Sequence, residues 1–193
     1  PVSHSAYPAY ALLYFGEDET ILYTGDYRTE SFLAKNELWD LNGAPDLLTY
    51  LQENTDIKID TLITEGTNIG SSRAPITPTD ALNIIKRLTS THEFLLFTMH
   101  NLDLEYAQAI IKLAAELESN CCIASNQIVR LIQRCPKPNR DLKIIEDCAD
   151  LPSDYERVSL EEIERRSFKL DSYWNIVDFL KELASTQSLG DFV

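Results

Sequence analysis

From Thr77 onward the chain alternates amphipathic helical stretches with short apolar runs, and this alternation constrains the fold more than any other feature. Thr77, Pro78 and Asp80 suit a helix start. The hydroxyl can accept from a first-turn amide, the ring has no N–H to leave unpaired, and the carboxylate meets the positive end of the helix dipole. Leu82, Ile85 and Leu88 then recur at helical spacing. Residues 93–98 read as a strand, and Asn101 caps a second helix striped by Tyr106, Ile110, Leu113, Ala114 and Leu117. A strand over 121–124 precedes a third helix that begins near Ser125 or Asn126 and carries Ile128, Val129, Leu131 and Ile132. Cys135-Pro136-Lys137-Pro138 ends it, because proline cannot donate to the helical ladder and restricts the residue before it. Residues 142–146 form a further strand. Strands separated by helices of roughly ten to fifteen residues imply βαβ units and an α/β fold with a parallel sheet.

The first part of the chain has another rhythm. Residues 1–15 and 20–28 are apolar runs joined by the short polar turn Gly16-Glu17-Asp18-Glu19, which suits a hairpin. His4 opens the first run and Asp26 closes the second, so antiparallel pairing brings them to one end of a sheet. Residues 46–52 read as a short helix with Leu47, Leu48 and Leu51 on one face. Residues 59–64 read as a buried-type strand that delivers Glu65 at its end, and Phe32 and Trp39 are expected to cover the sheet. Towards the other end, Ser159-Leu160-Glu161-Glu162 matches a capping box that starts a helix to about Arg166. Residues 172–183 carry Trp174, Val177, Leu180 and Leu183 on one helical side, and 185–193 have little to bury.

Three motifs resemble those of a known family. His4-Ser5 ahead of a strand, then Tyr23-Thr24-Gly25-Asp26-Tyr27-Arg28, resemble the third and fourth metal-binding motifs of the metallo-β-lactamase superfamily, in particular the β-CASP ribonucleases and ribonuclease J-like hydrolases. Ile59-Asp60-Thr61-Leu62-Ile63-Thr64-Glu65-Gly66-Thr67-Asn68 resembles the strand-plus-acid motif that opens the β-CASP insertion. The resemblance implies that residues 1–76 are the latter part of a metallo-β-lactamase αββα sandwich segment and 77–193 a Rossmann-like β-CASP α/β domain. It implies zinc, with His4 on one of a pair of ions and Asp26 bridging both. Glu65 would orient a later histidine acting in proton transfer to the leaving group. The implied reaction is hydrolysis of RNA phosphodiesters by a zinc-bound hydroxide. Thr98-Met99-His100-Asn101-Leu102-Asp103 resembles the start of a β-CASP helix, which makes His100 and Asn101 candidate substrate-binding residues. Relatives often continue with arginine where this chain has Leu104.

The chain also departs from the family pattern. The superfamily's first signature, His-x-His-x-Asp-His, does not occur, and the three histidines are His4, His92 and His100. The expectation is therefore an interior segment of a longer enzyme whose metal site is incomplete here, with little or no metal-dependent activity from these residues alone. The alternative is a non-catalytic binding or scaffold relative that has lost the site. A nucleotide-binding α/β domain is a further rival, but the loop from Gly66 to Arg73 lacks the Gly-Lys-Ser/Thr ending of a phosphate loop.

Plainer roles stand beside each candidate. A backbone carbonyl can satisfy His4, Glu65 can cap a turn or pair with Arg73, and His100 can serve as a helix-flanking hydrogen bonder. His92 reads as an exposed loop residue, and Tyr7, Tyr10, Tyr23 and Tyr27 as packing on the sheet rather than stacking on bases. Composition bears on the substrate. Seventeen basic and thirty-one acidic residues leave a net charge of −14, which repels polyanions. Attraction to RNA must come from a local groove or from other parts of a longer protein. The four cysteines show no Cys-x-x-Cys spacing and read as small buried hydrophobes, which suits a cytoplasmic protein. No apolar run approaches the roughly eighteen residues of a membrane span, so no membrane partner is expected. A homo-oligomer is compatible with all of this.

Overall fold

The computed structural model describes residues 1–33, 45–67, 69, 70, 72, 76–92, 95, 99–119, 121–123, 126–135, 142–145 and 155–159. Within them the chain is a mixed α/β structure with two small sheets. The first sheet has the order β1-β2-β3. Strand β1 (Leu12–Phe15) pairs antiparallel with β2 (Thr20–Tyr23), and β2 pairs parallel with β3 (Thr61–Ile63). The hairpin expected from the two apolar runs is present, closed by the Gly16 amide donating to the Glu19 carbonyl at 2.8 Å. Helix α1 (Leu47–Glu53) supplies the connection to β3. Asp46 caps it, accepting from the Leu48 and Thr49 amides at 3.0 and 3.1 Å.

Directly paired residues share a face of a sheet, so Leu12, Tyr14, Ile21, Tyr23, Thr61 and Ile63 lie together. Leu12 is 63% exposed, Tyr14 55%, Tyr23 50% and Ile63 49%, so this face is open as well as apolar. The buried strand expected at 59–64 is therefore shorter and more exposed than the sequence suggests. Among the described residues β3 pairs only with β2 and stands at an edge of the sheet. Tyr10 and Tyr23 are likewise about half exposed, whereas Tyr7 is buried.

The second sheet is parallel throughout, with the order β4-β5-β6. Helices α2 (Pro78–Thr89) and α3 (Leu104–Glu116) precede β4 (Cys121–Ile123), and α4 (Asn126–Gln133) leads to β5 (Leu142–Ile145). Strand β6 (Glu156–Val158) follows, with no counterpart among the sequence expectations. Thr77 caps α2 as its sequence implies, accepting from the Asp80 amide at 3.1 Å. Helix α3 starts two residues later than expected, because Asp103, not Asn101, is its cap.

The core lies between α3, α4 and β4. Leu104, Ile111, Ile123, Ile128, Val129 and Ile132 are all buried to within 1% of complete exclusion. Leu82 and Ile85 of α2 pack against this cluster, and Tyr7 and Leu33 join it from the first part of the chain. At about 25 cal/mol per Å2, each such aliphatic side chain contributes roughly 1.5–3 kcal/mol of burial. The expected strand over 93–98 lies largely outside the described residues. Trp39, the helix after Ser159 and the helix over 172–183 lie outside them altogether. Among the described residues no helix is long and apolar enough to cross a membrane.

Candidate functional site

Strand polarity decides where the candidate residues fall. Parallel β2 and β3 end on the same side, and β1 begins there. Beyond those ends the Thr24 amide donates to the Ile63 carbonyl at 3.0 Å, and the Thr24 and Thr64 hydroxyls meet at 3.2 Å. Gly25 follows in the left-handed region at φ +60, a conformation that side chains resist and that turns the chain out of the strand. Asp26 comes next and is exposed. The Arg28 amide then donates to the Ser3 carbonyl at 2.7 Å, which lays the 26–28 segment beside the loop carrying His4.

Glu65 stands two residues past β3, at the same end. Its Oε2 accepts from the Thr67 amide at 3.0 Å. The hydroxyl and amide of Thr67, and then the nearby His4, hold its carboxyl below the usual glutamate range. Glu65 thus caps a turn, which is its plainer role. Its alternative partner Arg73 lies outside the described residues. Asp26 and Glu65 lie just past the ends of β2 and β3, and the loop carrying His4, which precedes β1 rather than opening it, runs beside the 26–28 segment. Among the described residues no group of three or more histidine, cysteine, aspartate or glutamate side chains could hold a metal ion.

His100 and Asn101 form the turn ahead of α3. His100 is exposed, its Nδ1 accepts from the Leu102 amide at 3.3 Å, and its carbonyl accepts from the Asp103 amide at 2.9 Å. This is the helix-flanking role. The Tyr7 amide donates to the Leu102 carbonyl at 2.8 Å, so the turn is stitched to the same loop that bears His4.

A buried polar network beneath this loop was not expected from the sequence. Glu105, on the first turn of α3, is 1% exposed. Its Oε2 accepts from the Ser3 hydroxyl at 2.8 Å and the Phe32 amide at 3.0 Å, and its Oε1 accepts from the His4 amide at 3.3 Å. Burial pushes its carboxyl above the usual range, and the Ser3 and Phe32 hydrogen bonds and the Arg28 charge work against that rise. Beside it Arg28 grips both oxygens of Asp103, with Nη1 3.1 Å from Oδ1 and Nη2 closer still to Oδ2. Asp103 also accepts from the Tyr106 amide at 3.1 Å as the helix cap. Burial works to lower the Arg28 pKa, but the hydrogen bond and charge of Asp103 and the charge of Glu105 outweigh it and leave it raised. Glu30 adds a second tie by accepting from the Thr79 amide at 3.1 Å and from the Thr79 hydroxyl on α2.

Comparison with known proteins gives a fold and no activity. No protein-family model and no curated protein matches the chain. A crystal structure of a protein of unknown function from Enterococcus faecalis V583 is similar, with a TM-score of 0.52 and 16% sequence identity. The similarity covers 97% of this chain and 49% of that one, so this chain spans about half the length of the structure it matches.

Proposed function

We propose that this chain is part of a metal-dependent hydrolase of the metallo-β-lactamase type with a β-CASP-like α/β domain, acting on RNA phosphodiesters. The observation that supports the reading best is that the loop carrying His4 runs beside the Asp26–Arg28 segment, at the sheet end where β3 delivers Glu65, with the three motifs in the family's order. An imidazole and a carboxylate suit zinc, which accepts nitrogen and oxygen donors. They are fewer than the three protein ligands typical of catalytic zinc, so His4 and Asp26 would hold a metal together with ligands from elsewhere. When bound, zinc would acidify a water and offset charge on a phosphoryl group. The chain's own contribution is orientation. Asp26 is carried out of β2 by the Gly25 turn, Glu65 is fixed by Thr67, and the exposed His100 flanks the same loop.

The test is cleavage of end-labelled RNA, with zinc, by the longest polypeptide that the reading frame encodes. The expected outcome is cleavage reduced at least about a hundredfold by Asp26→Ala. Equal cleavage by the parent and the variant would contradict the assignment of Asp26. A non-catalytic binding role is the second reading, and the net charge of −14 favours it, because RNA is repelled by such a surface. It predicts no zinc-dependent cleavage by parent or variant.

A further inference from the structure

Glu105 occupies an unusual place for a carboxylate. It is almost wholly excluded from solvent and lies on a helix far from His4 in sequence, yet its oxygens accept hydrogen bonds from Ser3, His4 and Phe32. Those donors come from two separate stretches, which the Tyr7–Leu102 backbone bond and the Arg28–Asp103 pair also tie to the start of α3. A buried charged acceptor is expensive to leave unpaired, so the site favours the one arrangement in which all three donors point at it. We infer that Glu105 is the positioning residue of the candidate metal site, fixing the His4 backbone against the first turn of α3.

The chemistry explains why an acid stands there and not an amide. A carboxylate offers acceptors on both oxygens, whereas glutamine offers one oxygen and one NH2 group. In Glu105→Gln the amide oxygen can keep the Ser3 and Phe32 bonds. Its NH2 then faces the His4 N–H, donor against donor. The substitution therefore releases His4 selectively while preserving shape and most of the network. Arg28 and Asp103 alongside brace the same helix turn, and the Tyr7 and Arg28 amides tie the loop through backbone bonds, but none of these reaches the His4 amide as Glu105 does.

This inference rests on the proposed role of His4, and the test separates the two. The 193-residue chain carries three histidines, so 15N-histidine labelling gives a simple spectrum that His4→Ala assigns. Without zinc, Glu105→Gln is expected to shift and broaden the His4 ring and amide signals while those of His92 and His100 stay in place. His4 signals identical to the parent's would overturn the inference. Should the variant fail to fold, amide exchange in the parent decides: the inference expects His4 protected at least about tenfold over an open chain, and unprotected exchange overturns it. Zinc is then added to the parent and to the variant. Zinc-induced shifts at His4, with affinity weakened about tenfold or more in Glu105→Gln, support both ideas. No shift at His4 in the parent would remove the metal reading and leave the positioning result, obtained without zinc, as measured.

Discussion

Arg28 belongs to the motif that carries Asp26, but its visible work is to hold Asp103 with both ends of its guanidinium. Asp103 is 3% exposed. Arg28→Ala would leave that carboxylate with its capping bond and no cation, at an expected cost of about 2–4 kcal/mol in urea denaturation. Arg28→Lys should recover only part of the loss, since an ammonium cannot span both oxygens. A cost below about 0.5 kcal/mol for the alanine variant would show that the pair is solvent-screened. Cys121 offers a pH test. Burial pushes its thiol up to about 11 from an ordinary value of 9.0. Between those values the unfolded chain has released the proton and the folded chain retains it, so stability should fall as pH rises from 9 to 11. The fall approaches roughly 2–3 kcal/mol at its limit. In the folded protein Cys121 should also resist iodoacetamide at neutral pH and react once denaturant is added; ready labelling without denaturant would contradict its burial.

Among the elements, α2 and α4 were legible because local chemistry and tertiary packing agree. The Thr77 cap, Pro78 and Asp80 all sit where their chemistry directs, and Ile128, Val129 and Ile132 are fully buried. Thr77→Ala should cost about 1 kcal/mol by thermal denaturation, and a neutral result would mean that Glu30 on Thr79 suffices to hold the α2 start. The start of α3 was misplaced by two residues. Asn101 and Asp103 are both good caps by type, and the choice falls to Asp103 because the His100 turn precedes it and Arg28 lies against it. Glu105 was illegible for a related reason. With Gln108 and Lys112 it forms a polar stripe that reads as a solvated face, yet Glu105 is buried against Ser3, His4 and Phe32, and Gln108 beside Cys135 at the end of α4. The open face of the first sheet yields another prediction. Leu12→Thr and Ile63→Thr, at 63% and 49% exposure, should change stability by no more than about 0.5 kcal/mol each and reduce self-association in sedimentation. Strong destabilisation would show that this face is covered.

For the whole molecule, much of the α/β alternation after Thr77 was readable because α2, α3, β4, α4 and β5 each announce themselves in a short window. The arrangement around His4 was only half readable. Hairpin polarity places Asp26 at the sheet end where β1 begins, and parallel pairing of β3 adds Glu65. But β1 starts at Leu12, so His4 does not open the strand, and its loop comes alongside through the Arg28–Ser3 backbone bond. What sequence could not supply is the clamp of Ser3, Phe32 and Arg28 on α3, which depends on contacts between residues 73 to 102 positions apart. Strand β6 was missed because Glu156-Arg157-Val158 is too short and polar to announce a strand, and parallel pairing with β5 creates it. The measurement that bears most directly on the account is zinc calorimetry of the 193-residue chain beside a His4→Ala, Asp26→Ala double variant. The account predicts binding no tighter than micromolar, about −8 kcal/mol, that disappears in the double variant. Zinc binding equally strong in both proteins would contradict it.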